Sequence, residues 1–338
     1  MDWFERLTGF REINYKDTQS KLALEGSCLR SAVNGKRYDI GKLELISVSE
    51  LRERVKAASV REGKLKVSCV SGDVRLMHRK PENAGALFQV ASQFNLLEMV
   101  GPEVTPESGV TRYQNDRTQG PACAIAAGAA TIYRNYFAPV GSQLGQTASC
   151  QLDGLMDVGQ ALSERLALPV SSLWDMKNGY ALCEPDGLRA ITAYLIGARS
   201  DERDALCGKL RIGFHEDVEV TDGSDDSRPR VSQIFCSALP VAYRSEIAVP
   251  HWEALARLVL EAAYEATILC GILNAARAKS NRVLLTALGG GAFGNDERWI
   301  CDAIVRALQI AKHCDLDVRL VSFGHPTSGF LSIEKRFE

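Results

Sequence analysis

The strongest constraint on what this chain can fold into is the order in which two hydrophobic periods succeed each other. Short runs rich in β-branched and aromatic residues, at 65–70, 86–94, 231–239, 282–288 and 318–323, read as strands. Helix-patterned stretches stand between them. Pro121 marks the start of an alanine-rich helix over 122–137. Pro250 opens a longer one, with Leu255, Leu258, Val259, Ala262, Ala266 and Leu269 on one stripe. A third spans 296–311, where Ile300, Ile304, Leu308 and Ala311 recur at helical spacing and Asp296 and Glu297 supply first-turn acids. Such alternation implies a largely parallel or mixed sheet covered on both faces, an α/β sandwich. Ligands in such sheets collect at the carboxyl ends of strands, which directs attention to the loops after Phe94 and Leu288.

The 338 residues allow one large domain or two ordinary ones. Residues 1–60, with Trp3, Phe4, Leu7, Phe10 and a charged helix at 50–57, read as an N-terminal extension packed on a core domain at 61–338. The Gly- and Asp-rich stretch 138–230 reads as an insertion between core elements, and 222–227 as a solvated turn or flexible loop. A hydrophobic content of 46% with 24% charged residues is that of a globular chain, not a disordered one. The formal charge of −2 argues against a nucleic-acid wrapper, which needs surplus cations. An acidic start without an apolar core is unlike a secretory signal. The charge-free stretch between Arg117 and Arg134 is too short to span a bilayer. The ten cysteines contain no Cys-x-x-Cys pair. Several sit in apolar runs, as buried thiols of a reduced compartment do, so a cytoplasmic protein without a zinc site is expected.

Four glycines in six residues, Gly289, Gly290, Gly291 and Gly294, with Ala292 and Phe293 among them, join a strand to an amphipathic helix through Asn295 and Asp296. Glycine lets backbone N–H groups approach a ligand, and a helix start favours anions, so the loop suits a diphosphate. It is neither a Walker A loop nor a dinucleotide fingerprint, and a ligand-free tight turn is the alternative. The second candidate is the polar loop 110–121. Gln114, Asn115, Thr118 and Gln119 can hydrogen-bond a sugar or orient water, and Asp116 is the carboxylate for general-base or electrostatic work. A helix-capping loop would use the same residues. Asp73 follows Gly72 in an ordinary-looking turn, whereas Asn95 ends an apolar strand where its amide needs partners. Asn178-Gly179 beside Trp174 and Tyr180 reads as a hairpin turn before it reads as a lid. None of the five histidines stands at metal spacing. A metal would need Asp116 and Asp296 to converge.

Taken in order, these pieces resemble the macrodomains and the poly-ADP-ribose glycohydrolases, across roughly 65–137 and 230–325. The resemblance implies a three-layer α/β/α sandwich with a mixed sheet. Asp73 and Val74 resemble the element facing adenine, and Phe94-Asn95 the strand end facing the distal ribose. Residues 98–119 stand where the family's catalytic loop stands. Thr286 to Asp296 resembles the diphosphate loop, with Phe293 against ribose. Residues 232–239 and 318–323 resemble the central and closing strands. The family's Gly-Gly-Gly and Gln-Glu-Glu runs are missing from the catalytic loop, and Gln114-Asn115-Asp116 occupies the comparable place. That polar loop most resembles the macrodomain-like hydrolases of arginine-linked ADP-ribose, including those acting on ubiquitin. The implied activity is hydrolysis of the anomeric bond to a modified protein. In it Asp116 stabilises an oxocarbenium-like state, Gln114 and Asn115 orient ribose or water, and neither cofactor, nucleic acid nor membrane takes part. A non-catalytic ADP-ribose-binding module is the alternative.

Overall fold

The computed structural model describes residues 1–223 and 228–338, so positions 224–227 of the expected acidic turn lie outside the described residues. The central sheet has seven strands: β1 (Lys42–Ser47), β2 (Lys66–Ser71), β3 (Leu87–Ala91), β4 (Arg211–Glu219), β5 (Arg230–Cys236), β6 (Arg282–Leu285) and β7 (Asp317–Ser322). Their spatial order is β1-β4-β5-β3-β6-β7-β2. The five strands from β5 to β2 pair in parallel, whereas β4 pairs antiparallel with both β5 and β1. The sheet is therefore mixed.

Strand alternation assigns side chains to two helical layers. Leu87, Ile234, Cys236, Val283, Leu285, Val318 and Leu320 face a layer centred on the helix Val249–Ala276. Phe88, Val90, Val231, Phe235, Leu284 and Val321 face the opposite layer, with the helices Val74–Arg79 and Gln119–Ala126. The three-layer α/β/α sandwich expected from the element order is what the chain forms. Val249–Ala276 is long and apolar enough to cross a membrane, but 89% of its most apolar window is buried inside the fold. It is apolar all round because other helices cover the side that the sheet does not.

Several expectations are corrected by tertiary contacts. Residues 1–60 do more than pack on a core, since β1 forms an edge of the central sheet and the helix Val48–Ala57 follows it. The stretch 138–230 is likewise no simple insertion, because β4 pairs on both sides within the sheet. Charged residues interrupt both strands, and β4 carries a register shift between His215 and Val218, which blurs its alternation. The helix expected over 122–137 is two helices, Gln119–Ala126 and Gly128–Tyr136. Their junction is held from outside: the Ala126 carbonyl accepts the amides of Thr221 and Asp222, and Thr221 Oγ1 accepts the amide of Gly128. Strand β6 stops at Leu285 rather than 288, because the buried Tyr264 hydroxyl enters the backbone there. It donates to the Thr286 carbonyl at 2.7 Å and accepts from the Leu288 amide at 2.8 Å.

That hydroxyl yields a prediction. Tyr264→Phe removes one hydrogen bond from the Thr286 carbonyl and one from the Leu288 amide, leaving only the 2.9 Å bond between those two groups, and should destabilise the fold by about 1–2 kcal/mol in denaturant titrations. An unchanged midpoint would show that the loop relaxes without it.

Candidate functional site

The site begins where two central parallel strands part. β3 and β6 pair at only two positions, Leu87 with Val283 and Phe88 with Leu284. Beyond them side chains take over the role of the missing ladder. Gln119 Oε1 accepts the Ala91 amide at 2.9 Å, and its Nε2 donates to the Gln89 carbonyl at 2.7 Å. Gln89 Oε1 in turn accepts the Thr286 amide at 3.2 Å. At the carboxyl ends of the parted strands lies an open cleft of about 240 Å³. The two loops that the sequence singled out converge on it: Asp116, Thr118 and Gln119 line it together with Gly289, Gly291, Ala292 and Phe293.

The glycine loop is braced from within. The Gly290 amide donates to the Ala287 carbonyl, Gly294 to Gly291, and Asn295 to Gly289. The buried Asn295 side chain ties the loop to β5's continuation by donating to the Leu239 carbonyl at 2.8 Å. Gly289 has φ +74°, and a Cβ there would sit 2.5 Å from that of Ala238. Among the described residues, the amides of Gly289, Gly291, Ala292 and Phe293 have no backbone or side-chain acceptor. All four belong to residues that line the cleft.

Two carboxylates share the cleft. Asp116 is half-buried; its Oδ1 accepts the Thr118 amide at 2.8 Å, and no cation pairs with it among the described residues. Glu98, 2% exposed, lies deeper. Its Oε1 accepts from Arg134 Nη2 at 3.3 Å, and its Oε2 has no partner among the described residues. Arg134 is fully buried, lies over the Phe235 ring at 3.8 Å and donates through Nε to the Leu96 carbonyl. Burial outweighs the attraction of this guanidinium and pushes the Glu98 carboxyl up to about 7. Three rings line the cleft as well, Tyr180, Tyr243 and Phe293, with centroids 5.3–5.7 Å apart. Among the described residues no lysine, arginine or histidine lines the cleft.

No protein-family model and no curated protein matches this chain. Solved structures do. Poly(ADP-ribose) glycohydrolase from Thermomonospora curvata is 12% identical, with 96% of each chain covered and a TM-score of 0.45. The Deinococcus radiodurans enzyme in complex with ADP-ribose is 11% identical, covering 88% of this chain and 94% of that one, with a TM-score of 0.45. The Thermomonospora curvata enzyme bound to the inhibitor ADP-HPD is 13% identical, covers 95% of each chain and scores 0.42.

Other expected site residues lie elsewhere. Gln114 and Asn115 are exposed and outside the cleft, because the 3₁₀ turn Thr111–Asn115 turns Tyr113 inward and its neighbours outward. Gln119 lines the cleft but spends its amide on β3. Phe94 is core. Asn95 is fully buried, with Nδ2 donating to Gln151 Oε1 at 2.7 Å and Oδ1 accepting the Leu97 amide at 3.1 Å. Both of these partners lie inside the protein. Asp73 sits at the end of β2, outside the cleft, and caps the helix Val74–Arg79, whose Val74 is buried. Asp296 caps the helix Glu297–Ile310 and, unlike Asp116, does not line the cleft, and Gly290, Gly294 and Asn295 support the loop from outside the lining. Glu98 was the readable omission, an acid set alone in the apolar run 96–100. Tyr180 arrives on the expected hairpin, whose Asn178 and Gly179 both have positive φ. Nothing in the sequence marks Tyr243.

The raised Glu98 carboxyl makes the stability of the fold depend on pH. The folded state holds this proton more tightly than the unfolded chain, whose value lies near 4.5, so its contribution is full below that pH. Stability relative to Glu98→Gln should therefore fall as pH rises from about 5 through 7. Melting temperatures of both proteins across that range check the sign, and parallel profiles would place the Glu98 proton elsewhere.

Proposed function

We propose that this chain is a macrodomain-like ADP-ribosylhydrolase. The observation that carries the reading is a set of four backbone amides without acceptors in a cleft whose only charged side chains, among the described residues, are two carboxylates. Such amides, ahead of the helix Glu297–Ile310, suit a diphosphate, which needs N–H donors more than it needs lysines. A ribose packed on Phe293 of that loop would present its anomeric carbon towards the carboxylates. Cleavage there builds positive charge on the sugar, and Asp116 would stabilise it and guide the attacking water. Glu98, protonated in part near neutral pH, would give its proton to the departing group. Beyond the cleft, Asp73 and the exposed Phe323 end neighbouring strands on the same rim, where the base would extend.

The finer reading is that the departing group is an arginine guanidinium, with ubiquitin a suitable carrier. A planar cation fits a cleft that holds two carboxylates, three aromatic rings and, among the described residues, no competing cation. A serine or glutamate linkage would make no use of those rings.

Calorimetry with ADP-ribose tests the binding step, and release of ADP-ribose from arginine-modified ubiquitin tests the chemistry. Asp116→Ala should lower turnover by about 10²–10⁴ while keeping ADP-ribose affinity. Gly289→Ala should do the reverse and weaken ADP-ribose binding first, because the positive φ and the nearby Ala238 leave no room for a methyl group. Binding without release from any linkage would identify a reader module, and no binding at all would end the proposal.

A further inference from the structure

Glu12 lies outside the cleft, on the N-terminal segment, yet its carboxylate meets the chain just ahead of Asp116. Oε1 accepts the Val110 amide at 2.9 Å and the Tyr136 hydroxyl at 2.7 Å, and Oε2 accepts the Thr111 amide at 2.6 Å. No cation pairs with Glu12 among the described residues, so both oxygens are committed to these donors. Gly109 makes room for it, since a Cβ there would collide with the carboxylate. The same segment grips the next carbonyl too: Trp3 Nε1 donates to Thr111 at 3.2 Å.

We infer that Glu12 is a positioning residue that sets both carboxylates of the cleft through the turn Thr111–Asn115. The inference rests on the hydrolase reading for its catalytic consequence. The turn starts at the two amides Glu12 holds, and its end places Asp116, whose amide donates to the Tyr113 carbonyl at 3.1 Å. Its centre places Glu98, because the buried Tyr113 hydroxyl accepts the Glu98 amide at 3.0 Å. One side chain thus acts on both groups through a single turn, as an N-cap carboxylate orders the helix behind it. The glycine loop 289–294 lies on another part of the sheet rim, and none of Glu12's hydrogen bonds among the described residues reaches it.

The test uses the full chain with Glu12→Gln, which keeps the size of the side chain but offers one acceptor oxygen to three donors. Hydrogen–deuterium exchange of amides 110–116 should rise by about tenfold or more, with the sheet amides unchanged. Turnover should fall on the order of 10²-fold, the usual cost of misplacing catalytic groups by an ångström, with ADP-ribose affinity within about threefold of wild type. Glu12→Ala should behave alike and recover part of its turnover in acetate, which can reoccupy the vacated position. Unchanged exchange at 110–116 would overturn the inference. So would a parallel fall of affinity, turnover and melting temperature, which marks a merely structural staple. A wild-type chain that binds ADP-ribose and releases none sinks the hydrolase reading alone, and the exchange result then decides the role of Glu12.

Discussion

The separation of β3 from β6 is the constraint on which the rest of this structure depends. Two parallel neighbours that paired along their full length would leave no cleft between their carboxyl ends. They part after two positions, and the exposed strand edge would be costly if the Gln119 and Gln89 side chains did not satisfy it. Gln119 also begins the helix Gln119–Ala126, so the residue that closes the strand edge also fixes where the Asp116 loop meets the sheet. Strand separation, helix start and loop placement are one arrangement.

Beneath that arrangement lies the Glu98–Arg134 pair, both side chains essentially out of water. A buried pair of this kind contributes little net stability, because desolvation offsets most of the attraction. Here the pair is incomplete: Glu98 Oε2 and Arg134 Nη1 lack partners within the described residues. An unsatisfied carboxylate oxygen at the floor of a cleft stores a proton-binding tendency that a fully bonded one would not have. Sequence-distant parts maintain it, with Tyr113 from the turn and Leu96 from the loop after β3.

How far the sequence could be read follows from where each element's ordering comes from. The five parallel strands and the long helix were legible because their apolar residues recur at the period of the element they form. The two additional sheet strands were not, because β1 is a charged edge and β4 breaks its alternation at Asp217, where φ is positive. The helix break at Ala127 depends on Thr221, nearly a hundred positions away, which no local pattern reports. In the site, Asp116 and the glycine loop were visible by composition. Asn95 misled because burial alone does not say whether an amide's partner is a ligand or Gln151. Gln114 and Asn115 misled because a 3₁₀ turn alternates inward and outward positions differently from a strand or an α-helix.

The glycine loop's open donors are main-chain groups, and that has a consequence for how such a protein can change over time. A peptide N–H belongs to no amino acid in particular. Provided the bend at Gly289 and the bracing amide of Asn295 survive, the residues between them can be exchanged while the donors stay in place. Ancestry at such a surface would fade from the text long before it faded from the shape.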